Sequence, residues 1–296
     1  MTGKQEMSRM FKLAATAAML LAPISIANAE QIAGLTFDGK IVTFDSSTPM
    51  TIASSFAITG LTTGDKLLGI DLRPANALLY GVSQTGRVYT LTTTAIASLI
   101  TTLSTIPSGT SFGVDFNPVP DRLRIISNAG QNLRANLASG ATTVDTMITN
   151  GDMGGGAISL QGTAYTNSVP GGPAPATTVI YGIDSVTDAL MTSASPNGGV
   201  YTTVGSLGVG LTGSNLTGFD ISGATGKAYL NIDSAFYAVN LATGTATFID
   251  TVGSGPLIGI TATGAVPEPA TWGMMILGFG IVGSTLRRRN HSLRLA

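Results

Sequence analysis

The stretch Gly218-Phe219-Asp220-Ile221, with Lys227-Ala228-Tyr229-Leu230, Phe236-Tyr237-Ala238-Val239 and residues 245–250 behind it, decides how this chain is read. Short runs rich in β-branched and aromatic residues alternate with Gly, Asn, Asp and Ser, the pattern of consecutive strands joined by tight turns. The opening phrase recurs as Gly69-Ile70-Asp71-Leu72 and Gly113-Val114-Asp115-Phe116. Weaker copies are Gly162-Thr163-Ala164-Tyr165 and Gly259-Ile260-Thr261-Ala262. The five glycines are 44, 49, 56 and 41 residues apart, a period typical of four-stranded repeat units. The last copy runs out after one strand. Residues 32–37, 40–44 and 51–58 carry the missing second, third and fourth strand patterns, and joining 259–266 to 30–68 makes a unit of 47 residues. The expectation is an all-β fold, a five-bladed β-propeller closed by a blade shared between the N- and C-terminal parts of the body. A solenoid or open sandwich has no need of such complementary ends. Blade three is the weakest copy: it lacks the Asp, and the Pro/Gly-rich residues 167–178 read as a surface loop inserted between two strands.

Outside this body the chain carries two appended segments. Residues 1–29 read as a secretory signal peptide: Lys4, Arg9 and Lys12 precede an apolar run over 13–26, and Ala27-Asn28-Ala29 is a small-x-small cleavage site. Ala29 and Glu30 would flank the cut, leaving Glu30 as the first mature residue. The propeller body is then residues 30–266, and 267–296 form a tail. The tail opens with Pro267-Glu268-Pro269, continues in an uncharged run over 270–286, and ends with Arg287, Arg288, Arg289 and Arg294. Seventeen residues in a helix span roughly 25 Å, just enough for a bilayer core, and the arginines would stay on the cytoplasmic side.

A proline-glutamate-proline motif, a short apolar helix and a terminal arginine cluster resemble the PEP-CTERM sorting signal. The resemblance implies a Gram-negative host that makes extracellular polysaccharide, and a membrane-embedded exosortase that recognises Pro267, Glu268 and Pro269 and removes the tail. These three residues are then another enzyme's substrate. The implied route is export through the secretion translocon with signal peptidase, transient anchoring in the inner membrane, and release to the cell surface or medium. The body itself, through L-G-I-D-L-R-P at 68–74, G-V-D-F-N-P-V-P-D-R-L-R-I-I-S-N-A-G-Q-N-L-R at 113–134 and A-Y-T-N at 164–167, resembles a bacterial family of secreted proteins with a domain of unknown function. That likeness brings no catalytic residues.

Composition narrows the chemistry. The chain has no Cys and one His, His291, in the tail. The body therefore has no thiolate or imidazole for a nucleophilic triad or a zinc site. It holds eight basic residues against fourteen acids, a net charge of −6, and thirteen of those acids are Asp. A body this acidic has no footprint for nucleic acid or for an anionic membrane. No cofactor is expected.

Two constellations remain. Arg122, Arg124 and Arg134 bring three of the eight basic residues of the body into thirteen positions. Arg122 and Arg124 share one face of a strand, and Arg134 on the next strand is within reach of it. The trio suits either an anionic sugar or carboxylate, or a salt-bridge network between blades with Asp121 as a partner. Asp71, Asp115 and Asp220 hold one equivalent position on the expected innermost strands. They suit a ring of channel acids that binds a cation or acts as paired acids, or a repeated structural role in capping turn amides. Asn150-Gly151-Asp152 lacks calcium-loop spacing and reads as a turn. The leading expectation is a non-catalytic exported protein associated with exopolysaccharide or biofilm matrix. The alternative is a carbohydrate-active hydrolase or lyase that uses Asp residues on a five-bladed propeller.

Overall fold

The computed structural model describes residues 29–156 and 158–265. The apolar run of the expected signal peptide, Pro267-Glu268-Pro269 and the expected C-terminal helix lie outside these residues. Among the described residues there is no α-helix, one 3-10 turn (Pro196–Gly198) and twenty-one strands, numbered β1 to β21 in chain order. No helix among them is long and apolar enough to cross a membrane.

The strands form five sheets. β1 (Glu30–Thr36), β2 (Lys40–Asp45) and β3 (Ile52–Ala57) are three strands of one blade, and β21 (Leu257–Ala265) supplies the fourth from the far end of the body. The pairing is antiparallel, with Glu30 opposite Ala265 and Leu35 opposite Gly259, so the shared closing blade expected from the sequence exists. Blade one holds β4 (Leu67–Arg73), β5 (Leu78–Ser83), β6 (Arg87–Leu91) and β7 (Ala97–Thr102). Blade two holds β8 (Phe112–Asn117), β9 (Arg122–Ser127), β10 (Asn132–Ala135) and β11 (Thr142–Val144). Blade three holds β13 (Leu160–Tyr165), β14 (Ile180–Asp184), β15 (Ala189–Ser195) and β16 (Val200–Ser206). Blade four holds β17 (Thr217–Ile221), β18 (Ala228–Ile232), β19 (Ala235–Val239) and β20 (Ala246–Thr251). Blade three, the faintest in sequence, is the widest: β12 (Thr149–Asn150) adds a fifth strand in parallel to β16.

Burial explains the sequence pattern. The inner and second strands are covered on both faces, so β17 (TGFDI) and β18 (AYLNI) are buried throughout, Asp220 and Asn231 included, and show no alternation of buried and exposed positions. The outermost strands, such as β3 and β7, are mostly exposed and rich in Ser and Thr. Among the described residues there are five apolar clusters, and each lies between two consecutive blades. Tyr80, Val82 and Val88 of blade one meet Phe116, Leu123 and Ile125 of blade two. Leu35 and Ile41 of the closing blade meet Leu67, Ile70 and Tyr89 of blade one. Each blade thus covers its neighbour, as stacked repeats require.

The repeated glycine is explained by this stacking. At Gly113 an added Cβ would lie 2.6 Å from the Thr163 amide nitrogen of the next blade, and at Gly218 it would lie 2.8 Å from Gly259 Cα. The inner strands approach too closely there for any side chain. The inserted segment 167–178 does leave between two strands, β13 and β14, but it extends well beyond its own blade. Gly171 donates to the Pro74 carbonyl of blade one at 2.7 Å, and Ser168 packs against the backbone of Gly223 in blade four. It therefore lies over the end of the ring at which the inner strands finish.

Candidate functional site

The central axis is built in tiers. At the face where the inner strands begin, a cavity of about 600 Å³ opens to solvent. Its apolar wall includes Leu35, Phe37, Ile58, Leu61, Leu68 and Phe112. Its polar rim includes Thr36, Asp38, Lys66, Gln84, Thr110, Ser111 and Thr217. Six stretches of chain contribute: the β1–β2 turn, the segment leading into β4, Gln84 on the β5–β6 turn, and the starts of β8, β17 and β21. Phe37 sits on the β1–β2 turn, 72% exposed, and presents an uncovered aromatic face to the cavity. Asp65 is fixed at its edge by Tyr89 Oη (2.5 Å), Thr85 Oγ1 (2.5 Å) and Arg87 Nη1 (3.1 Å). Burial alone would raise its carboxyl, but these donors outweigh it and hold it below the usual range. No local pattern in the sequence marks this cavity, since its lining is dispersed from residue 35 to residue 258.

Below the mouth, the glycine tier nearly fills the axis. Gly69, Gly113, Gly162, Gly218 and Gly259 surround a void of about 10 Å³, no more than one water molecule can use. Beneath it, Asp71, Asp115 and Asp220 converge, with carboxylate oxygens within 4.8 Å of one another. All three are buried. Each reaches across a blade boundary and accepts a strand amide of the next blade. Asp71 takes Phe116 N at 2.7 Å, Asp115 takes Tyr165 N at 3.2 Å, and Asp220 takes Ala262 N at 2.6 Å. The capped groups are thus inner-strand amides, where the sequence suggested turn amides. Thr261, which stands at the Asp position of the closing blade, donates to Asp71 at 3.1 Å. Burial pushes all three carboxyls up. At Asp71 the charge of Asp220 adds to this, and at Asp115 those of Asp71 and Asp220 do. Asp220 rises to about 6. Three carboxyls this close and this dry cannot all ionise cheaply, so they share protons.

The arginine trio separates. Arg124 is 1% exposed. Its Nη1 donates to Asp145 Oδ2 (2.8 Å) and Asn132 Oδ1 (2.6 Å), its Nη2 to Asn197 Oδ1 (2.7 Å), and its Nε to Tyr165 Oη (3.2 Å). Arg134 lies opposite it in register and grips the same Asp145 with two bonds, 2.6 and 2.8 Å. Arg122 stays apart and donates to the carbonyls of Pro120 and Asp121, both at 3.1 Å. Asp121 pairs with Arg73 of blade one, whose guanidinium also lies over the Tyr80 ring at 5.7 Å. The acid beside Arg124 is therefore Asp145, not Asp121. Burial would raise the Asp145 carboxyl, but Arg134 and Arg124 together hold it below the usual range. In the Asn150-Gly151-Asp152 turn, Asn150 Oδ1 accepts Asp152 N at 3.0 Å, and Asp152 accepts Thr203 N at 2.6 Å.

One further acid stands out in the sequence only as the residue after the expected cleavage site and as an oddity of composition. Glu30, the single Glu of the body, is fully buried at the start of β1. Its carboxylate accepts hydrogen bonds from Ser222, from Thr225 Oγ1 at 2.9 Å and from Tyr229 Oη at 2.8 Å, all in blade four. Its amide donates to Ser46 Oγ at 2.9 Å. Glu30 thus ties the closing strand to the neighbouring blade.

These features define the class: a closed five-bladed propeller with a buried acidic axis and an open mouth where the inner strands begin, carrying a C-terminal sorting signal. The chain belongs to the family described as domain of unknown function DUF4394, whose model matches residues 40–261. The PEP-CTERM protein-sorting motif matches residues 265–289, which makes this an exported, exosortase-processed protein. No curated protein matches the chain. Among solved structures, a chain of a nidogen/laminin complex is similar at 9% identity, covering 79% of this chain and 97% of its own, with a TM-score of 0.43. A Bacteroides thetaiotaomicron structural-genomics protein of unknown function is 12% identical over 82% of this chain and 66% of its own, with a TM-score of 0.47. A symmetrical protein from a study of de novo evolutionary emergence is 14% identical over 81% of this chain and all of its own, with a TM-score of 0.46. Similarities this remote carry nothing about ligand or activity.

Proposed function

We propose that this protein is a non-catalytic glycan-binding module of the extracellular matrix, which uses the cavity at the channel mouth. Signal peptidase frees Glu30, the tail holds the body at the inner membrane, and exosortase processing then releases it to the surface. The observation that carries the binding reading is the contrast between the two ends of the axis. The acids lie beneath a tier with room for at most one water, each already bonded to a strand amide. The mouth is open, and its volume falls within the ordinary range for ligand sites, about 300–1,000 Å³. A sugar has apolar C–H faces and a hydroxyl rim. The exposed ring of Phe37, and Gln84, Thr110 and Ser111 elsewhere on the lining of the same cavity, are complementary to both. A glycosidase would instead need two carboxyls roughly 5–9.5 Å apart across an accessible cleft, and the Asp trio offers no such opening.

The test is a glycan array probed with the processed, exported protein. Retention of a polysaccharide, weakened about tenfold by Phe37→Ala combined with Gln84→Ala (about 1.4 kcal/mol), supports this reading. Retention that ignores the double variant, or release of cleaved sugars that stops in Asp115→Asn, overturns it in favour of another surface or of the hydrolase or lyase alternative.

A further inference from the structure

We infer that the anchored form of this protein is held with its cavity pointing away from the membrane, and that the opposite face, where the inner strands end, lies against the lipid surface. The inference rests on the membrane-anchored stage of the proposed function. It concerns orientation, which that reading leaves open.

The argument starts from register. Glu30 and Ala265 are paired across β1 and β21, so the chain enters the body and leaves its last strand side by side. At the other end of the same pair, Thr36 faces Leu257, and Thr36 and Ile258 line the cavity. The eight steps from Leu257 to Ala265 span about 26 Å of strand, which separates the exit point from the mouth. The polarity is shared by the whole ring. Lys66, Thr110 and Leu216, just ahead of β4, β8 and β17, line the mouth, while the loops after those strands sit on the exit side with Ala265.

The tether is short. Pro267-Glu268-Pro269 and one valine are all that separate Ala265 from the apolar run that starts at Ala270, a reach of at most roughly 17 Å when fully extended. A domain of this length has a radius of gyration of about 18 Å, or about 45 Å across. A tether much shorter than the body cannot let the mouth swing down to the bilayer. The positive-inside rule places the four terminal arginines in the cytoplasm, which puts the body on the exported side. The short tether then lays the exit face on that leaflet. A polymer in the surrounding space meets the open cavity, and the lipid does not.

The chain has no cysteine, so single reporters are clean. Thr63→Cys and Ser108→Cys mark exposed loops on the mouth side, and Ala75→Cys and Ala224→Cys mark exposed loops on the exit side. Each is made in the full chain with Pro267→Ala and Glu268→Ala to block processing. The protein is labelled with a donor dye and reconstituted into phosphatidylglycerol/phosphatidylethanolamine vesicles that carry an acceptor on the headgroups. Flotation reports anchoring, and energy transfer reports which face is near. The expected result is that all four float with the vesicles and that transfer from positions 75 and 224 is at least about twofold that from 63 and 108, given the roughly 26 Å between the faces. Flotation with equal or inverted transfer overturns the orientation and leaves the anchoring intact. Failure to float overturns the anchoring and the orientation with it.

Discussion

Arg124 shows how much a single side chain can commit in this fold. Its guanidinium is the largest fully buried polar group among the described residues, and it joins β9 to Asp145, to Asn197 beyond β15 and to Tyr165 of β13. The pair it makes with Asp145 is worth little as a net gain, because both charges had to be desolvated, but breaking it strands one charge in the interior. Asp145→Ala leaves Arg124 buried beside Asn132 with no carboxylate and also frees Arg134. The expected cost is about 3–5 kcal/mol, read as a melting midpoint lower by roughly 10 °C for a body of this size. Arg122→Ala removes only bonds from an exposed loop and should shift the midpoint by less than about 2 °C. A thermal melt of the two variants separates the roles. Equal shifts would mean that the trio acts as a unit after all.

At the scale of the element, the repeated glycine governs how the inner strands stack, and the five copies are not equally tight. A Cβ at Gly113 meets the backbone of Thr163 and Gly162 at 2.6 and 2.8 Å, whereas at Gly259 the nearest atom, Ile70 N, is 3.4 Å away. Backbone cannot step aside as a side-chain tip can, so Gly113→Ala must spread blades two and three. Overpacking of this kind costs typically about 1–3 kcal/mol. The closing blade has more room. Gly259→Ala should cost less than about 1 kcal/mol, since its contact is near ordinary van der Waals range. Urea denaturation of the two variants, compared at constant m-value, checks the order. If Gly259→Ala proves the worse, the ring is tightest at its closure and not at blade two.

The whole ring depends on pH through its axis. The folded-state carboxyls of Asp71, Asp115 and Asp220 sit above their unfolded values: Asp71 by burial and the charge of Asp220, Asp115 by burial and the charges of Asp71 and Asp220, and Asp220, by burial, at about 6. A raised acid binds protons more readily when folded. Its stabilising share is therefore complete below the unfolded value, near 4, and is lost as pH rises through the folded value. Asp65 and Asp145 act in the opposite sense. Their carboxyls are held below the usual range, so their contribution disappears only as pH falls beneath about 4. Stability should then peak near pH 4–5 and decline towards pH 8. The triple variant Asp71→Asn, Asp115→Asn, Asp220→Asn keeps an amide acceptor at each position and should lose that decline. Melting midpoints across pH 4.5–8 provide the measurement, and an unchanged slope in the triple variant would remove the axis from the account.

The blade count, the blade order and the shared closing blade were all legible in the sequence, because each rests on a local signal. A two-residue alternation or an unbroken apolar run marks a strand, a turn residue ends it, and the glycine phrase repeats with the blade. The position of Asp71, Asp115 and Asp220 on the inner strands was legible for the same reason. Their convergence to within 4.8 Å was not, since the radius of the ring and the close approach at the glycines set that distance. The sequence pointed to Asp121 as the acid near Arg124 because it lies three residues away. The structure brings in Asp145 and Asn197 instead, one from just after β11 and one from the turn after β15. Glu30, the reach of the 167–178 insertion and the mouth cavity were likewise decided only by tertiary structure. In each case the partners are separated by tens to more than two hundred residues, and only closure of the ring, driven by burial of five interblade cores, brings them together.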